Sequence, residues 1–149
     1  MQKSLREFLK TDIAYPVIAK NGEVFAVNDP VTIASGFLKV ATASDKIYGY
    51  CNEAYTAASD NQTVAGYAPQ CLRSLGQTMR FDVTATALVQ ANVGSFALLT
   101  GTTGAIKINQ ATVSATVGQF LILGFGVDEL GNNYADVEAA ARQDVTTVS

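Results

Sequence analysis

The 149-residue chain contains no histidine and no tryptophan, only two cysteines and three prolines, and few charges. Each shortage excludes something. Without histidine there is no Ser-His-Asp triad, no Cys-His dyad, and no zinc or iron site built on imidazole. Cys51 and Cys71 are too few for a disulfide scaffold. They read as small buried hydrophobes in a reducing compartment, with a Cys51–Cys71 bridge as the alternative. Charged residues make up 15% of the chain, against about 25% in average proteins. A net charge of −3 offers no basic face for nucleic acid. No apolar run of signal-peptide length follows Met1, so synthesis in the cytoplasm is expected.

The shortage of charge is local. Between Asp82 and Asp128 the only charged residue is Lys107, and residues 83–106 carry none. A membrane-spanning helix needs about twenty predominantly apolar residues. This stretch is instead rich in Thr and broken by Gly94, Gly101 and Gly104, so no membrane partner is expected. Neutral Thr- and Ala-rich β-surface suits a subunit interface, because nothing ionic has to be desolvated on assembly. Val93, Phe96, Leu98, Thr100 and Thr102 are the candidate interface residues. The alternative is an ordinary Thr-rich sandwich surface.

What is present is mostly β-grammar. At the start, Ser4 and Glu7 fit a capping box, and Leu5, Phe8 and Leu9 share a face. A short helix over 4–10 follows, within an arm spanning 1–20. From Glu23 the period falls to two. Short runs rich in β-branched and aromatic residues alternate with turn residues at Asn28-Asp29-Pro30, Ser35-Gly36 and Ser44-Asp45. Residues 52–62 read as a loop and Thr63–Tyr67 as a strand. In 77–86, Met79, Phe81, Val83 and Ala85 face one side of a half-buried strand. Further strands are expected at 95–99, 105–109, 119–127 and 134–139. The last of these has a helical alternative at Ala139-Ala140-Ala141-Arg142.

Phe37-Leu38-Lys39-Val40 followed by Ile47-Tyr48-Gly49-Tyr50 parallels Ala105-Ile106-Lys107-Ile108 followed by Leu121-Ile122-Leu123-Gly124-Phe125. Either two related β-units or chance similarity between short strands accounts for this. The reading is an all-β, mainly antiparallel fold, a β-sandwich or barrel-like domain with a short N-terminal helix or arm. Its β-rich domain covers 21–149, divisible into 21–75 and 76–149.

No catalytic, metal or cofactor set emerges. Asp128-Glu129 is the only adjacent acidic pair and abuts a turn. Gly124-Phe125-Gly126 lies within a strand and has no following helix, so it marks a bulge or close packing. Tyr48, Tyr50, Tyr55 and Tyr67 with Phe37 offer stacking surface, but without a basic groove they are better explained by packing.

The run Gly22-Glu23-Val24-Phe25-Ala26-Val27-Asn28-Asp29-Pro30-Val31, then Gly36-Phe37-Leu38-Lys39-Val40-Ala41, then Ile47-Tyr48-Gly49-Tyr50 resembles the small capsid decoration (cement) proteins of tailed bacteriophages. Those proteins share its Gly-x-Val, Asp-Pro-Val, Gly, apolar-Gly cadence, with low charge and abundant Ala, Thr and Gly. The resemblance extends over most of the chain beyond the arm. It implies a non-enzymatic protein without cofactors, bound as a trimer or dimer to major capsid protein on the virion exterior. It implies no direct contact with nucleic acid. The first twenty residues carry net +2 and those from Asp128 onward net −4. Lys3, Arg6, Phe8, Lys10 and Lys20 are therefore the candidate capsid-contact residues, steering the arm onto an acidic lattice. The alternatives are another virion component (head-completion, tail or fibre-associated) and a carbohydrate-binding β-sandwich.

Overall fold

The computed structural model describes residues 13–57 and 68–143. The expected helix at 4–10 and strand at 63–67 lie outside these residues. Everything described is β-structure and turns, apart from one 3-10 turn at Gln90–Asn92. Six short strands come first: β1 (Val24–Phe25), β2 (Pro30–Ala34), β3 (Phe37–Val40), β4 (Gly49–Cys51), β5 (Tyr55–Thr56) and β6 (Cys71–Arg73). Five strands of five to eight residues follow: β7 (Thr78–Val83), β8 (Phe96–Thr100), β9 (Lys107–Ser114), β10 (Phe120–Val127) and β11 (Asn133–Ala139). Local chemistry explains the breaks. Ser35 and Gly36 both take positive φ (53° and 87°), the geometry of a two-residue hairpin turn joining β2 to β3.

Strands β7–β11 close into a barrel in the order β10-β11-β7-β9-β8. All neighbours are antiparallel except β7 and β9, which run parallel at Asp82↔Lys107 and Val83↔Ile108. Alternation fills the lumen. Phe81, Val83, Leu99, Ile108, Phe120, Ile122 and Val137 point inward with the small Ala97, Ala135 and Ala139 between them. Large and small side chains so combined fit the taper of a five-stranded barrel. Each large one stabilises the fold by roughly 1.5–3 kcal/mol on burial. Ala135, Val137 and Ala139 are buried at strand period, so 133–139 is a strand and not a helix.

The first unit has the order β3-β2-β4-β6, with β1 and β5 paired alongside. Residues 52–57 are not simply a loop, because β5 pairs with β1 there. Residues 13–20 lie along this sheet. Ile13 bridges Leu72 antiparallel and Ala19 bridges Leu38 parallel. Ala14 and Ala19 are buried in its core. Residues 13–20 are thus part of the folded unit rather than of a free arm.

With residues 13–20 counted as a strand, the two units have the same connectivity. In each, the first strand runs parallel to the third, and the third pairs antiparallel with the second. The second then pairs with the fourth, the fourth with the fifth, and the fifth with the first, all antiparallel. The doubled sequence grammar sits at equivalent places: β3 matches β9, and β4 matches β10. Five pairings of the same sense in the same order make the two β-units topological repeats.

The units are joined by buried polar groups. The Gln119 side chain, 3% exposed, accepts from the Leu99 N–H (2.9 Å) and donates to the carbonyls of Thr42 (2.7 Å) and Asp45 (2.6 Å). Buried Asp29 accepts from the N–H groups of Ala26 and Gly104 (2.9 and 3.0 Å) and from the Thr103 hydroxyl. After β11 the chain returns to the first unit, where the Gln143 amide pairs with both the N–H and the carbonyl of Ile33. Ala41, Ile47 and Tyr50 of the first unit complete the barrel core, and the Tyr50 ring lies 6.4 Å from that of Phe81.

Gln119→Leu roughly keeps the volume but removes a partner from three backbone groups, of which the Thr42 carbonyl still accepts from the Asp45 N–H. The expected loss is about 2–4 kcal/mol. In a chain of this size that lowers Tm by roughly 5–15 °C, with one cooperative transition by circular dichroism. A change under about 0.5 kcal/mol, the range of an ordinary surface substitution, would show that the amide is not the joint.

Candidate interaction surface

The sequence gap in charge becomes a geometric feature. Strands β9, β8 and β10 are neighbours in the barrel. They form a wall whose only charged residue is Lys107, at one end of β9. The charges sit on the other two strands: Arg80 and Asp82 on β7, Asp136 and Glu138 on β11. The barrel therefore has one neutral and one charged side.

Three of the five interface candidates share the neutral wall. Phe96, Leu98 and Thr100 alternate with buried Ala97 and Leu99 along β8, each half-buried. Val93 lies apart, half-buried in the turn after Gln90–Asn92. Thr102 is exposed in the turn joining β8 to β9 and lines a groove of about 450 Å³ with Gly22, Val24, Lys39 and Thr42. Of the arm candidates, Lys3, Arg6, Phe8 and Lys10 lie outside the described residues. Lys20 is exposed, its ammonium 5.0 Å above the centre of the Phe37 ring.

On the charged side, Arg80 and Asp136 form a bidentate pair at 2.8 and 3.0 Å. The guanidinium lies 3.8 Å over the Tyr134 ring. Tyr134 in turn covers Gly126, where a Cβ would fall 2.6 Å from the tyrosine oxygen. A bulge interrupts β10 between Ile122 and Gly124. The glycine pair thus marks both a bulge and a close approach. The β10–β11 turn is fastened by Asp128, whose carboxylate accepts from the N–H groups of Leu130 and Asn132 (2.9 and 2.8 Å). The Asn132 N–H, followed by that of Leu130, holds this carboxyl below its ordinary 3.8.

The remaining chemistry-bearing groups serve the fold. Cys51 and Cys71 are free, buried and directly opposed on β4 and β6. The Cys51 thiol donates to the Glu53 carbonyl (3.0 Å) and the Cys71 thiol to the Pro69 carbonyl (3.9 Å). The facing sulfurs shift each other in opposite senses, lowering Cys51 and, together with burial, raising Cys71. Among the described residues the tyrosines form no common platform, and Tyr67 lies outside them. Tyr50 is fully buried, the Tyr48 hydroxyl donates to the Tyr15 carbonyl, and Tyr55 packs on Phe25. Among the described residues no group of three or more Cys, Asp or Glu could hold a metal ion. No helix among them is long and apolar enough to cross a membrane.

Sequence reasoning missed an apolar feature on β10. Leu123, Phe125 and Val127 are 43%, 36% and 63% exposed although they belong to the most apolar strand. The excess of apolar residues in 119–127 was the available signal, and it reads equally well as core.

The chain matches no protein-family model, no curated protein and no solved structure.

Two measurements check these placements. Native protein at neutral pH should resist thiol labelling at both cysteines, and the unfolded chain should take up two labels. Rapid labelling of the native state would contradict their burial. Because the folded Asp128 carboxyl is lowered, its contribution to stability is present above pH 3.8 and is lost as pH falls through the folded value. Carboxyl NMR should therefore place its midpoint below 3.8, and Asp128→Asn should abolish that acid dependence of the turn.

Proposed function

We propose that this chain is a virion structural protein that coats the outer surface of an icosahedral phage head and stabilises the shell, without catalysing a reaction. The observation that carries this reading is the neutral β9-β8-β10 wall, where half-buried apolar and Thr side chains lie side by side with charge only at one end. Such a wall docks against protein at little desolvation cost. Charged groups are kept to the opposite strands, where they orient encounter more than they add affinity. The decoration-protein cadence at 22–51 supports the same reading, because it coincides with β1–β4 and their turns. Burial of Tyr50 and the separate engagement of Tyr48 and Tyr55 weigh against a sugar-stacking surface.

In this reading the cations of residues 1–12 and Lys20 face the acidic lattice of the major capsid protein. Binding by dimers or trimers multiplies weak contacts by avidity. Because Ala14 and Ala19 are core residues, the informative truncation removes residues 2–12 and stops there. We expect the truncated protein to melt within about 2 °C of the full chain, since a change of 1 kcal/mol shifts Tm by that much or more. We expect it to lose at least roughly tenfold in affinity for purified shells, a change of about 1.4 kcal/mol. Undiminished coating of shells would sink the arm. Full-length protein that leaves shells bare, or a virion count near a dozen copies, would point to a completion or tail role.

A further inference from the structure

Beyond Ile122, β10 leaves the barrel wall. Its last contacts with the β8 side are the bonds from the Gly94 N–H to the Ile122 carbonyl and from the Ile122 N–H to the Ser95 carbonyl. Past the bulge at Leu123, it pairs with β11 from Gly124 to Val127 on one side only, and no described residue hydrogen-bonds the other edge of 123–127. Exposed edges are ordinarily blunted by charge, proline, cover or a bulge. Here the bulge at Leu123 lies at the start of the edge and leaves Gly124–Val127 regularly paired with β11. This one is Leu-Gly-Phe-Gly-Val, uncharged and apolar.

The first unit shows what belongs there. Its chain also runs on past the fourth strand, as β5, and is covered by β1, which arises between the first and second strands of the repeat. In the barrel the matching connection, residues 84–95, makes only the 3-10 turn at Gln90–Asn92 and supplies no strand. The second unit thus has the extended edge without the strand that covers it in the first.

The geometry points to the same edge of a second copy as the missing strand: Leu123–Val127 pairs antiparallel with Leu123–Val127 about a two-fold axis through Phe125. The sequence is palindromic in kind. Leu123 then faces the second copy's Val127, Gly124 faces Gly126, and Phe125 faces Phe125. A two-fold contact must be self-complementary, so any charge near its centre would oppose its own copy. None occurs here, and Asp128 lies beyond the paired segment, held in its own turn. On the opposite face, Tyr134 covers Gly126. The inference deepens the reading of the chain as an assembly subunit by naming where two copies meet.

The test uses the full chain in sedimentation equilibrium at up to roughly 100 µM, where even a weak homodimer with micromolar Kd is populated. Wild type should reach twice the 15.7 kDa chain mass. Phe125→Lys and Phe125→Glu each place like charges on the axis and should weaken self-association by roughly 100-fold. An equimolar mixture of the two should restore a one-to-one dimer, which also shows that both variants are folded. A monomeric wild type, a Phe125→Lys protein that dimerises as well as wild type, or closed trimers in place of dimers would overturn the pairing. Shell binding by monomeric Phe125→Lys is read separately. Coating without dimerisation defeats this inference alone, whereas a wild-type dimer that ignores shells defeats the proposed function alone.

Discussion

A buried amide holds the two halves of this molecule in one arrangement. The Gln119 side chain must meet a barrel N–H on one side and two carbonyls of the β3–β4 connection on the other. An apolar residue would take this partner from the Leu99 N–H and the Asp45 carbonyl in a closed space, leaving the Thr42 carbonyl only the Asp45 N–H, and a shorter polar one would not reach all three. Once that joint is made, Ile47 and Tyr50 are carried into the barrel core and the chain after β11 meets β2. Neither unit is large, and small β-units bury too little surface to be secure alone. Sharing a core is how this chain meets that limit.

Much of the architecture was legible in the sequence because strand period and turn chemistry are local properties. Phe81 and Val83 alternate against Arg80 and Asp82, and Ser35-Gly36 can form a tight turn wherever it is placed. Four of the barrel strands fall within three residues of their expected bounds for this reason, while β9 runs five residues beyond the expected 105–109, and the all-β class followed. Pairing is not local, and here the reading fell short. Nothing in Tyr55–Thr56 announces a strand until Val24–Phe25 lies beside it. Residues 13–20 read as part of an arm because Pro16 and the Asn21-Gly22 turn close that segment off from the period-two pattern after Glu23. Only the bridges to Leu72 and Leu38 reveal them as the first strand of a repeat.

The surface shows the same division between composition and placement. That charge is missing from 83–106 is a statement about sequence; that β8, β9 and β10 are neighbours is a statement about topology. Together they make a wall. The candidates on β8 share one face because alternation guarantees it, whereas Val93 and Thr102 fall elsewhere because turns break the alternation. The apolar row of β10 escaped notice for the opposite reason. A buried strand and a strand awaiting a partner have the same composition, and only the lack of a neighbour on one edge tells them apart.

The repeat gives that distinction its force. Two units with the same five pairings present a natural comparison within one chain, so a difference between them is informative without reference to any other protein. The first unit covers the extension of its fourth strand with β1, and the second leaves the equivalent extension open. A random uncovered edge would be a hazard, prone to pairing with any strand. An edge that is open where its counterpart is closed, neutral, and symmetric under reversal is instead matched to a single kind of partner. Glycine at 124 and 126 fits this role physically. It keeps the strand thin on the Tyr134 side and leaves Leu123, Phe125 and Val127 as the only side chains of the segment. A strand built that way has little to lose by pairing with itself and, through the doubled contact of a two-fold axis, gains each interaction twice.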